Sequence, residues 1–212
     1  MQYNLNINFK KEDLAALYEA GENITIFKQV KTNGIGSKNV AWVSFKPFMS
    51  NTVTWEENYA LYCSNKVELD DGTVINKMSH ENDVVDQKCY PFEKAIFQKR
   101  TEPPPEKPLT GGQFMVLNKD SAYNSLTFGM AQDVIVNNTN YKVNTLNAAV
   151  IPYNQYGIFT PLEKISVVML ANTQNDMVIS QVGSKTLDIT YSGSDIEKNI
   201  VYDQKKGMFV YA

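Results

Sequence analysis

The chain has one histidine, His80, and two cysteines, Cys63 and Cys89, in 212 residues. With a single imidazole, a zinc site would have to draw on carboxylates or the thiols, and the spacing of the two cysteines matches no metal motif. No G-x-S-x-G or comparable nucleophile setting exists for His80 to serve, and no cofactor motif is present. Gly183-Ser-Lys-Thr186 lacks the earlier glycine and the Gly-Lys pair of a phosphate loop. Asp70-Asp71-Gly72 lacks the alternating oxygen ligands of a calcium loop. There is no excess of basic charge: the net charge is −3 and the pI about 5.3. A protein that neutralises phosphates needs clustered Lys and Arg, so nucleic acid is not an expected partner.

Long apolar runs are also missing, since none approaches the ~18–20 residues of a transmembrane helix. The opening MQYNLNINFKKEDL has no basic segment followed by an apolar one, so the chain reads as cytosolic as synthesised. Cys63 and Cys89 then read as buried free thiols. Release by a route without a signal peptide is the alternative, and an inter-strand disulfide would go with it.

What the sequence does contain is alternation. Tyr3, Leu5, Ile7 and Phe9 alternate with Gln2, Asn4, Asn6 and Asn8, giving a strand with one apolar and one amide face. The period changes once: Leu14, Leu17 and Tyr18 lie at helical spacing over Lys10 to Ala20, with Gly21 as the left-handed stop. Ile24, Ile26 and Lys28 resume the period of two, and a turn-rich stretch follows from Lys31 to Ser37. Beyond Gly111, strands are expected over 113–117, 125–136, 141–143, 147–151, 164–171, 177–181, 185–191, 199–202 and 208–211. The fold class is therefore mainly β, an antiparallel β-sandwich with one short N-terminal helix. A single domain over 1–212 is expected, with a proline-rich loop or seam at 101–110. Two small β halves, 1–100 and 111–212, are the alternative.

Both tryptophans fall between Asn39 and Ser64, together with Phe45, Phe48, Tyr59 and Tyr62. Val40/Trp42 and Val53/Trp55/Tyr59/Leu61, separated by Pro47 and Ser50-Asn51-Thr52, read as strand, turn, strand, and hence as a central hairpin. Asp71-Gly72 between Val67/Leu69 and Val74/Ile75 predicts a second, tight hairpin. On the strand from Val53 to Cys63, Trp55 and Tyr59 share one face and Tyr62 takes the other. If Trp55 and Tyr59 are core, Tyr62 with Phe48 and the Asn51 turn is left to present rings near the surface.

Ser44 to Asn51 (SFKPFMSN) followed by Asn58-Tyr-Ala-Leu61-Tyr62 resembles the aromatic strand-turn-strand of the actinoporin cytolysins and the related fungal fruit-body lectins. Pro47, Phe48, Asn51, Asn58, Leu61 and Tyr62 carry the likeness; Glu56-Glu57 stands where those families have Trp-Trp. Their long amphipathic N-terminal helix is absent. The resemblance implies a β-sandwich that binds a glycan or a lipid head group through aromatic side chains, with Phe48, Asn51, Trp55, Tyr59 and Tyr62 as ligand-binding candidates. The opening also resembles a group of bacterial and fungal proteins of no assigned function. Two other readings stand beside a non-enzymatic binding module. The first is a self-assembling structural or inclusion protein forming homo-oligomers through strand edges such as Tyr3 to Phe9. The second is a glycosidase using Glu56 or Glu57.

Overall fold

The structure is a computed structural model and describes residues 1–33, 36–180, 183 and 185–212. Among these the strands are β1 (Gln2–Asn8), β2 (Glu22–Thr32), β3 (Ser37–Asn39), β4 (Val43–Phe45), β5 (Ser50–Glu56), β6 (Ala60–Ser64), β7 (Ser79–Glu81), β8 (Cys89–Glu93) and β9 (Ile96–Phe97). They continue with β10 (Phe114–Asn118), β11 (Ser125–Val136), β12 (Thr139–Thr145), β13 (Asn147–Pro152), β14 (Tyr156–Ala171), β15 (Leu187–Thr190), β16 (Glu197–Asp203) and β17 (Met208–Tyr211). The helix α1 spans Lys11–Glu19.

Two sheets pack against each other as a β-sandwich. The first runs β17-β16-β1-β5-β11-β13-β3, with β6 and β12 also on β11 and β7 beside β6. The second runs β4-β2-β14-β10-β8-β9, with β15 on β14. Pairing is antiparallel except for β1 with β16 and β10 with β8. Strands from before and after the proline-rich stretch alternate in both sheets. Its only ladder contact among the described residues is the bridge from Thr101 to Cys89.

The alternation of β1 becomes burial. Tyr3, Leu5, Ile7 and Phe9 enter the main core with Val53 and Trp55 of β5 and Ile24, Ile26, Phe159 and Ile165 of the second sheet. Each such aliphatic side chain contributes about 1.5–3 kcal/mol. In α1, Glu12 and Asp13 occupy the first turn, where the helix dipole favours acids. Leu14 and Leu17 join the core, and Gly21, at φ 67°, takes the left-handed stop. Among the described residues no helix is long and apolar enough to cross a membrane. Both cysteines are free and buried, and burial raises both thiol pKa values.

Several expectations are corrected. The central hairpin does not form, because β4 pairs with β2 in the second sheet while β5 pairs with β1 and β11 in the first. The Pro47 turn carries the chain between sheets. The Asp71-Gly72 hairpin is also absent: a turn forms, with Gly72 at φ 81°, but its flank bonds to distant chain. Gly72 N donates to Val178 O at 2.9 Å and Ile75 N to Asp176 O at 2.8 Å. Tyr3 to Phe9 is no edge, since β1 lies between β5 and β16. The strand expected at 164–171 begins at Tyr156 and runs through Pro161, which sits beside a register shift ending at Ile165, where a missing donor is tolerated. The turn expected at 31–37, the strand at 177–181 and the Gly183–Thr186 loop include Gly34, Ile35, Gln181 or Ser184, which lie outside the described residues.

Candidate functional site

The segment read as one strand from Val53 to Cys63 is interrupted, and the interruption makes a cleft. Both halves pair with β11: Thr54 faces Ile135 and Ala60 faces Ala131. Trp55 to Tyr59 therefore lies opposite only Gln132 to Val134. On its other side β11 shifts register against β12 at the same place, between Gln132 and Val134. The ladder is lost on the β5–β6 side of Gln132–Val134 and skips Asp133 on the β12 side, so side chains fill in for backbone. Gln132 Nε2 donates to Glu56 O at 2.6 Å, and Val143 N donates to Asp133 Oδ1 at 2.8 Å. Val143 is held at φ 52°, costly for a β-branched residue and a form of strain that gathers at functional sites.

A cleft of about 820 Å³ opens here, lined by residues that include Trp55, Glu56, Asn58, Tyr59, His80 and Gln132. Behind its wall lies a charged aromatic cluster. Lys28, side chain fully buried, reaches Glu163 Oε2 at 3.1 Å. It sits 5.2 Å from the Tyr59 ring centroid, 5.7 Å from that of Trp55 and 5.9 Å from that of Trp42. Burial pushes the lysine pKa down, opposed by the Glu163 carboxylate. Glu163 is placed by the irregularity after Pro161 and also accepts the Tyr59 hydroxyl at 2.6 Å. Burial, and then that carboxylate, push the Tyr59 phenol up. Glu57 accepts the Tyr3 hydroxyl at 2.6 Å. The break is thus pinned to its surroundings largely through side chains.

Two buried polar atoms in this wall, Trp55 Nε1 and Gln132 Oε1, have no hydrogen-bond partner. Each such group costs about 1–3 kcal/mol. Unmatched groups concentrated at one point mark a place where the fold has not optimised its own bonding.

The residues singled out from sequence separate. Trp55 and Tyr59 meet at the cleft; Trp55 is buried and Tyr59 half-buried against the core. Phe48 is 55% exposed, beside exposed Met49. Asn51 is buried and acts as a turn clip, accepting from Phe48 N at 2.9 Å and donating to Phe48 O at 2.8 Å. Tyr62 does face away from Trp55, but it presents no ring at the surface. Leu69, Ile75 and Val178 pack over it in a satellite core, and its hydroxyl donates to Asn147 O at 2.7 Å. The loop misread as a hairpin is what covers it. Lys28, Glu163 and Gln132 went unread as site residues. Lys28 did leave a signal, a lysine in phase with Ile24 and Ile26.

These observations define a mainly antiparallel β-sandwich with an amide-rich, aromatic-walled cleft at a paired strand irregularity. Comparison with protein-family models, curated proteins and solved structures finds no match to this chain.

Proposed function

We propose that this protein is a non-enzymatic binding module that takes a glycan or a lipid head group in the cleft at the β5–β6 break. The observation that carries the reading is the co-location of an open cleft with half-buried Tyr59, a strained Val143 and two unmatched polar atoms. Pockets that combine aromatic wall with a few fixed polar groups are the usual form of a small-ligand site. The local resemblance to lectin-like and cytolysin-like sandwiches supports the same class of ligand.

The proposed site is Trp55 and Tyr59 rather than the whole set expected from sequence. Asn51 and Tyr62 are consumed by the fold, and Phe48 belongs to a separate exposed turn. The test is titration with glycans and with phosphocholine liposomes while following tryptophan fluorescence, since Trp42 and Trp55 lie edge to face at 5.4 Å beside the cleft. Saturable change, lost in Tyr59→Ala, is expected. Turnover of an oligosaccharide abolished by Glu56→Gln would replace binding with glycoside hydrolysis. Large ligand-free assemblies in light scattering would favour a structural protein instead.

A further inference from the structure

We infer that the ligand of this cleft is an uncharged, hydroxyl-rich glycan, and that Glu56 and Asp83 in the wall turn away acidic sugars. The inference rests on the cleft being the binding site, and it narrows the ligand class.

Five amide side chains line the cleft: Gln2, Asn58, Asn82, Gln132 and Asn140. An amide both donates and accepts, as a sugar hydroxyl does, so such a lining answers hydroxyls in either orientation. Tyr59, half-buried in the lining, adds an aromatic surface of the kind on which the apolar face of a sugar ring packs.

The charges decide the rest. Both lysines of the lining are already paired: Lys142 with Asp133 at 2.6 Å and Lys77 with Asp176 at 2.8 Å. A carboxylate or phosphate entering the cleft would have to compete with these partners for the lysine charge. Glu56 and Asp83, both exposed in the lining, have no lysine or arginine partner among the described residues. Both therefore add uncompensated negative charge at the cleft. Phosphocholine is the sharper competitor: its phosphate meets the same paired lysines, while its trimethylammonium is attracted by carboxylates and aromatic rings, so the amide lining is what favours a sugar over it.

The experiment is calorimetric titration of the whole chain with lactose, chitotriose and maltotriose, then 3′-sialyllactose and phosphocholine, at low and at physiological salt. At least one neutral sugar is expected to bind roughly tenfold or more tightly than sialyllactose at low salt, the gap narrowing as salt screens the carboxylates, and to bind more tightly than phosphocholine at either salt. Glu56→Gln with Asp83→Asn should shrink the neutral-to-acidic ratio at least about threefold. Sialyllactose or phosphocholine binding as tightly as the best neutral sugar overturns the inference, provided binding is lost in Tyr59→Ala and in Asn58→Trp, which fills the cleft from an exposed position. In that case the cleft remains the site. An unchanged ratio in the double variant also overturns it. Binding that survives both cleft variants, or no binding in any arm, removes the cleft as the site and the inference with it.

Discussion

Tyr59 and Tyr62 are near neighbours in sequence and opposites in environment. At Tyr62 the ladder with β11 is intact and its ring lies against Gly129, where a Cβ would stand 2.7 Å from Tyr62 Cε1 and 2.1 Å from Asn147 O. The hydroxyl is matched and the ring fully buried. At Tyr59 the ladder is broken, the ring is half-buried, and the hydroxyl is held by a carboxylate that also serves a buried lysine. An aromatic residue on a regular ladder becomes packing. One at an interruption stays partly open to solvent.

The largest expected effect probes the regular side. Gly129→Ala forces a methyl into the Asn147 backbone and should cost about 3 kcal/mol or more, measured by urea unfolding. A cost under about 1 kcal/mol would mean that β11 yields there and that the contrast with the break is overstated.

On the irregular side, Glu163→Leu leaves Lys28 buried without its carboxylate. Breaking such pairs costs about 3–5 kcal/mol, and the partial exposure of Glu163 brings the expectation to about 2 kcal/mol. Lys28→Met, an apolar replacement of similar reach, should stay within about 1 kcal/mol of wild type. If both variants cost the same, the pair is not what holds Tyr59.

The smallest effect is Tyr62→Phe, expected to cost about 1 kcal/mol because Asn147 O loses a buried donor. It also carries a pH signature. Burial raises the Tyr62 phenol well above its ordinary 10.0. Its contribution is therefore fully present below pH ~10 and is lost as pH rises towards the folded value. Tyr62→Phe should flatten part of the alkaline fall in stability expected of the wild type in unfolding curves at pH 9 to 11. An unaltered alkaline limb would assign the fall to other tyrosines.

The parts legible in the sequence were those where local pattern and final pairing agree. The amide-apolar alternation of β1, the helix with its Gly21 stop, and the bounds of β11 and β17 could all be read directly. Alternation says which face is buried but not which strand is the partner, so two hairpins were read where the chain in fact crosses between sheets or bonds to residues 176–178. The site was half legible. Trp55 and Tyr59 announce themselves as large rings in one short stretch. Gln132, Asp133 and Glu163 come from β11 and β14, and nothing in their own neighbourhoods shows that they face a break elsewhere.

The parallel pairing of β1 with β16 has a kinetic consequence. Asn6 bonds Asn199 across 193 positions of chain, so one flank of β1 stays open until the distant segment carrying β16 has emerged from the ribosome. Closing such distant contacts is slow, and topologies rich in them expose intermediates to aggregation. The folded sandwich gives β1 no free flank, but the nascent chain carries one, with Tyr3, Leu5 and Ile7 alternating along it. Chaperone dependence during synthesis, and loss of yield when translation outpaces folding, would then originate at this strand rather than at the cleft.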